Sequence, residues 1–92
     1  MEDTFSRTFV IENQLGLHAR PAAQLVQTTH KYPNVDVKIT KNGETVDGKS
    51  IMGVLMLCAE FGSSIKVIAK GDGAEQLLNE LEQLIKNKFG EE

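Results

Sequence analysis

A histidine, an arginine and a proline stand close together at the predicted start of a helix. His18 stands at the start of this helix, just before Arg20 and Pro21. The unpaired N–H groups of a first turn, with a helix dipole equivalent to roughly +0.5 charge, favour the binding of an anion there. The same field disfavours the protonated imidazole, so a ring nitrogen of His18 is expected to remain a nucleophile near neutral pH.

The residues around His18 are typical of a group that holds phosphate. Arg20 brings a planar guanidinium that can bind two phosphate oxygens at once. The chain has no GxxxxGKS or GxxxxGKT loop for a nucleotide, and no nearby residue resembles a general base that would activate water. We therefore predict that His18 accepts a phosphoryl group without hydrolysing it, in a carrier that other proteins load and unload. The alternative for an isolated histidine here is a helix cap or a surface residue, which spacing alone does not exclude.

The apolar pattern predicts a β-α-β-β-α-β-α order. Strands are predicted at 7–12, 35–40, 44–46 and 65–70, and helices at about 18–32, 50–61 and from 74 to a closing Gly90. The register of the first strand is open, because Phe9, Val10 and Ile11 are all apolar. Gly16 is expected to adopt an unusual backbone angle, and Asn42-Gly43 to form a hairpin turn. This order predicts a two-layer α/β sandwich with the helices on one face of a four-stranded sheet, and leaves the strand order open.

The second predicted helix is apolar on nearly every side until Glu60. A two-layer domain of this size cannot easily enclose such a helix, so we expect some of Met52, Leu55 and Met56 to be exposed. Exposed, flexible methionines suit a docking surface for several partners. The alternative for each one singly is an ordinary place in the core. Cys58 is expected to be a buried small hydrophobe.

Composition excludes several classes of protein. The 92 residues, 40% of them hydrophobic, are expected to form one domain, 1–92, with an ordinary core. A net charge of −3 and 5% aromatic residues disfavour a nucleic-acid binder. The chain has no apolar run near the ~20 residues of a membrane span and no signal peptide, and a single cysteine suits a reducing cytosol, so we expect a cytoplasmic protein. His18, His30 and Cys58 show no metal-ligand spacing, so neither metal nor cofactor is predicted, and His30 is expected at the surface.

Two motifs resemble those of one protein family. Gly16-Leu17-His18-Ala19-Arg20-Pro21-Ala22 resembles the active-site motif of HPr, the histidine-containing phosphocarrier of the bacterial phosphoenolpyruvate–sugar phosphotransferase system. Lys49-Ser50-Ile51-Met52-Gly53 resembles the second motif of that family, which contains a regulatory serine. The resemblance covers nearly the whole chain in the same element order. It implies an α+β fold, a two-layer open-faced β-sandwich of four antiparallel strands with three helices on one face.

The resemblance also implies a set of roles and partners. Enzyme I would phosphorylate Nδ1 of His18, Arg20 would steady the phosphate, and IIA domains of sugar permeases would receive it. Ser50 would be the site of a regulatory serine kinase and phosphorylase, although the residues alone indicate a helix N-cap. A monomer suits such rapid partner exchange. The partner-docking residues would be Ala19, Ala23, Gln24, Gln27, Lys49, Ile51, Met52 and Leu55.

Two alternatives stay open. Residues 54–59 and the acidic tail at 89–92 resemble the nitrogen-regulatory relative of the family, which would use the same histidine chemistry for signalling. From a different class, RNA-recognition and other ferredoxin-like modules share the β-α-β-β-α-β order. The acidic charge and the lack of a paired aromatic motif on the strands argue against RNA binding.

Overall fold

A four-stranded antiparallel sheet forms one layer of the molecule. The computed structural model describes residues 3–91. The strands follow one another in space as β1-β4-β2-β3, so the last strand of the sequence lies between the first two. This arrangement confirms the predicted fold class and supplies the strand order. The strands are β1 (Thr4–Val10), β2 (Asp36–Lys41), β3 (Glu44–Asp47) and β4 (Ser64–Lys70).

Burial settles the register of β1. Phe9 pairs with Ile65 of β4 and is buried, whereas Val10 is 50% exposed on the open face of the sheet. β1 also begins earlier than predicted, because pairing with β4 extends to Thr4. Ile11 lies beyond the strand but is fully buried, and its amide donates to the Ser63 carbonyl at 2.9 Å. The chain thus enters the loop before His18 already anchored in the core.

Three α-helices cover the inner face of the sheet: α1 (Ala19–His30), α2 (Ile51–Met56) and α3 (Ala74–Lys86). α1 ends before Pro33, as the proline predicts. Apolar side chains at helical spacing on α1 and α3 meet the inward-facing side chains of the strands, and these form the core. The predicted hairpin turn is confirmed, since Asn42 and Gly43 both have positive φ, at 51° and 83°. Among the described residues, no helix has the length and apolar character to cross a membrane.

The structure corrects the predicted end of the second helix and the burial of Cys58. α2 ends at Met56 instead of continuing to residue 61. Cys58 has a φ of 51°, in the left-handed region that ends helices, and its side chain is exposed. Its amide donates to the Leu55 carbonyl at 3.1 Å. Burial of Cys58 was expected from its residue type, and the helix end turns it outward.

The segment after α3 also differs from the prediction. α3 ends at Lys86 with Asn87 as its C-cap, so the prediction that Gly90 closes the helix is wrong. Gly90 belongs to a short 3₁₀ turn, α4 (Lys88–Gly90), which follows. Phe89 in this turn has a φ of 55° and is only 3% exposed, so it fixes the turn to the core. The chain beyond it returns toward the loop that contains His18.

Candidate functional site

His18 stands at the N-cap of α1, where its backbone is extended with φ −76° and ψ −171°. Its side chain makes no capping hydrogen bond, so the helix-cap interpretation does not describe the imidazole. The preceding residues are fixed against the loop after α2, since the Leu17 amide donates to the Ala59 carbonyl at 2.8 Å. Gly16 has a φ of +70°, as predicted, and a Cβ there would lie 2.6 Å from that same carbonyl oxygen. The backbone before His18 therefore requires glycine for two independent reasons.

The two ring nitrogens of His18 have different surroundings. Nε2 lies 2.6 Å from Oε2 of Glu91, and the side chains of the pair are 38% and 13% exposed. Within residues 3–91, Nδ1 has no hydrogen-bond partner. Because the carboxylate can only accept, Nε2 donates in this contact, and in the neutral ring the lone pair then lies on Nδ1. The ring is thus held with one nitrogen occupied and the other available.

Sequence reasoning missed Glu91, whose carboxylate contacts His18. The two residues are 73 positions apart in the chain, and the turn after α3 brings them together. The fully buried Asn13 holds the other carboxylate oxygen, with Nδ2 donating to Oε1 of Glu91 at 2.8 Å and to the Gly16 carbonyl at 2.7 Å. The only sequence signal was the acidic character of the tail.

The pKa of Glu91 lies below its usual value of 4.5, chiefly because the amide of Asn13 donates to the carboxylate. Burial opposes this effect and is the second-largest influence on the pKa, while the hydrogen bond and charge of His18 and the charge of Arg20 each lower it by less. The carboxylate is therefore ionised at neutral pH. Arg20, whose side chain is exposed, is close enough for its charge to act at this site.

The first turn of α1 offers two amides for an anion. Ala19 and Arg20 have no earlier carbonyl within the helix to bond, and Pro21 has no N–H. The first intrahelical bond runs from the Ala22 amide to the His18 carbonyl at 3.0 Å. The positive end of the helix dipole and the Arg20 guanidinium add to the attraction for phosphate oxygens.

Ser50 is the N-cap of α2, as its residue type predicted, and its Oγ accepts a hydrogen bond from the Gly53 amide at 3.0 Å. The structure does not bring Ser50 next to His18. The carbonyl of the preceding Lys49 accepts from Nε2 of His30, at the opposite end of α1. α1 has 12 residues, which at 1.5 Å per residue is about 18 Å. His30 is exposed, in agreement with its predicted place at the surface.

The expected docking residues lie on α1, on α2 and directly before α2, and these two helices contact each other. Met52 is 68% exposed and Met56 63% exposed, which confirms that α2 presents apolar side chains outward. Leu55 is half-buried, and Val54 is fully buried. Of the remaining expected residues, the exposed ones are Ala19, Gln27 and Ile51, and the half-buried ones are Ala23, Gln24 and Lys49.

Two large apolar side chains beside His18 were also missed. Leu15 is 74% exposed and Phe61 is 63% exposed, and both line a groove of about 540 Å³ that includes His18. Leu15 is an apolar residue within a polar loop, which was a usable signal. Phe61 was assigned to the second helix. Its exposure was not predictable because the helix ends earlier than expected, at Met56. In residues 3–91, no three His, Cys, Asp or Glu side chains are grouped as metal ligands would be.

Comparison with known proteins agrees with this geometry. Residues 5–87 match the family model described as the PTS HPr component phosphorylation site. The chain belongs to the HPr family. It is 44% identical over 85 residues to the phosphocarrier protein HPr of Cupriavidus necator, covering 92% of this chain and 94% of that protein. HPr proteins are phosphocarriers of the phosphotransferase system, so family membership excludes the RNA-recognition alternative.

A solved structure and a longer protein extend the comparison. The crystal structure of HPr-C-His from Thermoanaerobacter tengcongensis superposes with a TM-score of 0.91 at 42% identity, covering 96% of this chain and 98% of that one. The phosphoryl donor subunit DhaM of the phosphoenolpyruvate-dependent dihydroxyacetone kinase of Escherichia coli is 39% identical over 90 residues. That match covers 98% of this chain and 19% of DhaM. An HPr-like region thus also occurs within a larger phosphoryl donor.

Proposed function

We propose that this HPr-family protein carries a phosphoryl group on Nδ1 of His18, taking it from phosphorylated enzyme I and passing it to IIA domains of sugar permeases. The proposal is supported chiefly by the environment of the His18 imidazole. It is 38% exposed at the start of a helix, its Nε2 is occupied by Glu91, and its Nδ1 is available.

The transfer needs no cofactor. The Nδ1 lone pair attacks phosphorus as the bond between phosphorus and the donor's nitrogen breaks, and the bonding electrons leave with the donor. Arg20 and the amides of Ala19 and Arg20 offset the charge on the three phosphoryl oxygens. The second transfer is the reverse at this end: the acceptor attacks phosphorus, and the Nδ1–P electrons return to the ring.

Docking buries exposed apolar side chains of the protein. Met52 is exposed on α2 and Leu15 is exposed in the groove beside His18, and such apolar side chains bury well against a partner. The proposed contact residues are those named above on α1, at Lys49 and on α2. A monomer in the cytoplasm fits a carrier that must meet several partners in turn.

Ser50 is the proposed regulatory site of a serine kinase and phosphorylase. It lies at the start of α2, beside the exposed Ile51 and Met52. A phosphate on Ser50 would therefore lie within the proposed docking surface and away from His18. A phosphate carries about −1.5 to −2 charge at neutral pH and opposes an acidic partner surface. The expected effect is slower loading of His18 in a protein that remains folded.

The test is phosphorylation by enzyme I and phosphoenolpyruvate. We expect an adduct of about 80 Da that is labile in acid and stable in alkali, the behaviour of a phosphohistidine. His18→Ala should abolish the adduct, and His30→Ala, the matched control, should keep it. An adduct that persists in His18→Ala would contradict the proposal.

A second assay decides between the two branches. Residues 54–59 and the acidic tail resemble the nitrogen-regulatory relative. The phosphorylated protein should transfer faster to IIA domains of sugar permeases than to a IIA protein of the nitrogen branch. The opposite order would assign the chain to the nitrogen branch with the same histidine chemistry.

A further inference from the structure

We propose that Glu91 is a positioning residue that keeps the proton on Nε2 of His18 while phosphate arrives at and leaves Nδ1. The inference rests on the proposed phosphocarrier function. It adds a residue outside both motifs, from the turn that follows α3.

Several contacts fix the Glu91 carboxylate beside the His18 ring. Glu91 Oε2 lies 2.6 Å from Nε2, and the Glu91 side chain is only 13% exposed. Asn13, fully buried, donates to the other oxygen at 2.8 Å and ties it to the loop before His18. Phe89 fixes the preceding turn to the core. The carboxylate is therefore held from both sides, and a ring bonded to it cannot rotate freely about its side-chain bonds.

The proton balance explains what this contact does. Before transfer, Nε2–H donates to the carboxylate and the Nδ1 lone pair is free. When Nδ1 bonds phosphorus, the ring becomes a cation that still carries its Nε2 proton, and the adjacent carboxylate stabilises it. When the acceptor takes the phosphoryl group, the ring leaves as a neutral imidazole and not as an imidazolate. No proton has to enter or leave in either step.

Charged groups that the described residues 3–91 place near His18 include Arg20 on α1, Glu60, which lines the same groove, and Glu91. Arg20 attracts phosphate and opposes a cationic ring, whereas the two carboxylates favour the cation. Within residues 3–91, Glu91 is the charged side chain that hydrogen-bonds the ring. Its substitution therefore separates the effect on the ring from the effect on phosphate.

The experiment compares Glu91→Gln with the wild-type protein and with Glu75→Gln, which removes one exposed carboxylate from the first turn of α3. Each protein is loaded by phosphorylated enzyme I and, separately, by phosphoramidate, a small donor that needs no docking surface. We expect Glu91→Gln to load about fivefold more slowly with both donors, since a hydrogen bond to a charged group is replaced by one to a neutral group. Glu75→Gln should match the wild type.

The pH dependence of phosphoryl release tests the role of Glu91, because a residue that only stabilised the fold would not change it. Release of the phosphoryl group to a IIA domain requires the protonated ring, so the rate of release falls as pH rises. The pH of half-maximal release should be lower in Glu91→Gln than in the wild type, because the charge that keeps the proton is gone. Equal loading rates with both donors, or equal pH midpoints, would overturn the inference.

The two donors separate this inference from the proposed function. If phosphoramidate labels His18 but enzyme I does not, the proposed function fails, and the Glu91 comparison is read from the phosphoramidate rates. If enzyme I loads Glu91→Gln as fast as the wild type, and phosphoramidate does too, the inference fails and the function stands. A wild-type protein that neither donor labels would overturn both.

Discussion

Substitutions at Ser50 should separate a structural role from a regulatory one. Its Oγ caps α2 by accepting from the Gly53 amide at 3.0 Å. Ser50→Ala removes this bond, whereas Ser50→Asp keeps an oxygen acceptor at the cap and adds a negative charge. Aspartate is as good an N-cap as serine and interacts favourably with the helix dipole. Each variant should therefore differ from the wild type in a different assay, Ser50→Ala in melting temperature and Ser50→Asp in loading by enzyme I.

The magnitudes follow from the structure. Loss of an N-cap costs about 1 kcal/mol, which for a domain of this size lowers the melting temperature by about 4–8 °C. Ser50→Asp should melt near the wild-type temperature. Ser50 lies by the end of α1 far from His18, about 18 Å along the helix, whereas the Debye length is about 8 Å at physiological salt. The added charge is thus screened from His18 itself and acts on a docked partner.

The assay measures loading by phosphorylated enzyme I and by phosphoramidate, with calorimetry on the same samples. Ser50→Asp should load at least tenfold more slowly from enzyme I, because a like charge on the contact surface costs more than 1.4 kcal/mol. Its loading by phosphoramidate should be unchanged. Ser50→Ala should melt lower and load normally from both donors. Slowing of Ser50→Asp with phosphoramidate as well would refute the reasoning, since it would place the effect at His18.

Three further predictions follow from particular contacts. Gly16→Ala should destabilise the fold by about 2 kcal/mol or more in urea unfolding, because a positive φ and a backbone overlap coincide there. Gly62→Ala should cost less, because φ is also positive at Gly62 but a Cβ there would meet open space. Equal losses of stability in the two variants would contradict this. Met52→Gln should raise the KM for enzyme I about tenfold and leave phosphoramidate loading unchanged, because a 68% exposed methionine is available for burial; an unchanged KM would remove Met52 from the docking surface. Hydrogen bonds, first from Tyr32 and then from Lys31, lower the pKa of Glu80 below 4.5, so the stabilisation they give is present above pH 4.5 and lost as pH falls further. Tyr32→Phe should raise the pKa of Glu80 in an NMR titration and flatten that acid loss in urea unfolding, and an unmoved titration would contradict the assignment.

Local chemistry made several features predictable from the sequence. The apolar spacing of α1, the Asn42-Gly43 turn and the cap at Ser50 depend on neighbouring residues, so the pattern carries them. The excess of apolar residues on α2 predicted an exposed face because a small two-layer fold has no room to bury it. The motif around His18 likewise predicted a nucleophile at a helix start, and the structure places the ring there.

Features that depend on distant parts of the chain were not predictable in the same way. The contact between His18 and Glu91 joins positions 73 apart, and it depends on a turn in which Phe89 has positive φ. The early end of α2 depends on the left-handed backbone of Cys58, a conformation that its residue type does not indicate. The register of β1 required its pairing with β4, since three successive apolar residues fit either face.

The most direct test is to locate the phosphate on the imidazole. NMR of the ¹⁵N-labelled protein, phosphorylated by enzyme I, gives the coupling between phosphorus and each ring nitrogen of His18. The structure predicts coupling to Nδ1, with the proton retained on Nε2 beside Glu91. Phosphate bonded to Nε2, or found on His30, would contradict the account.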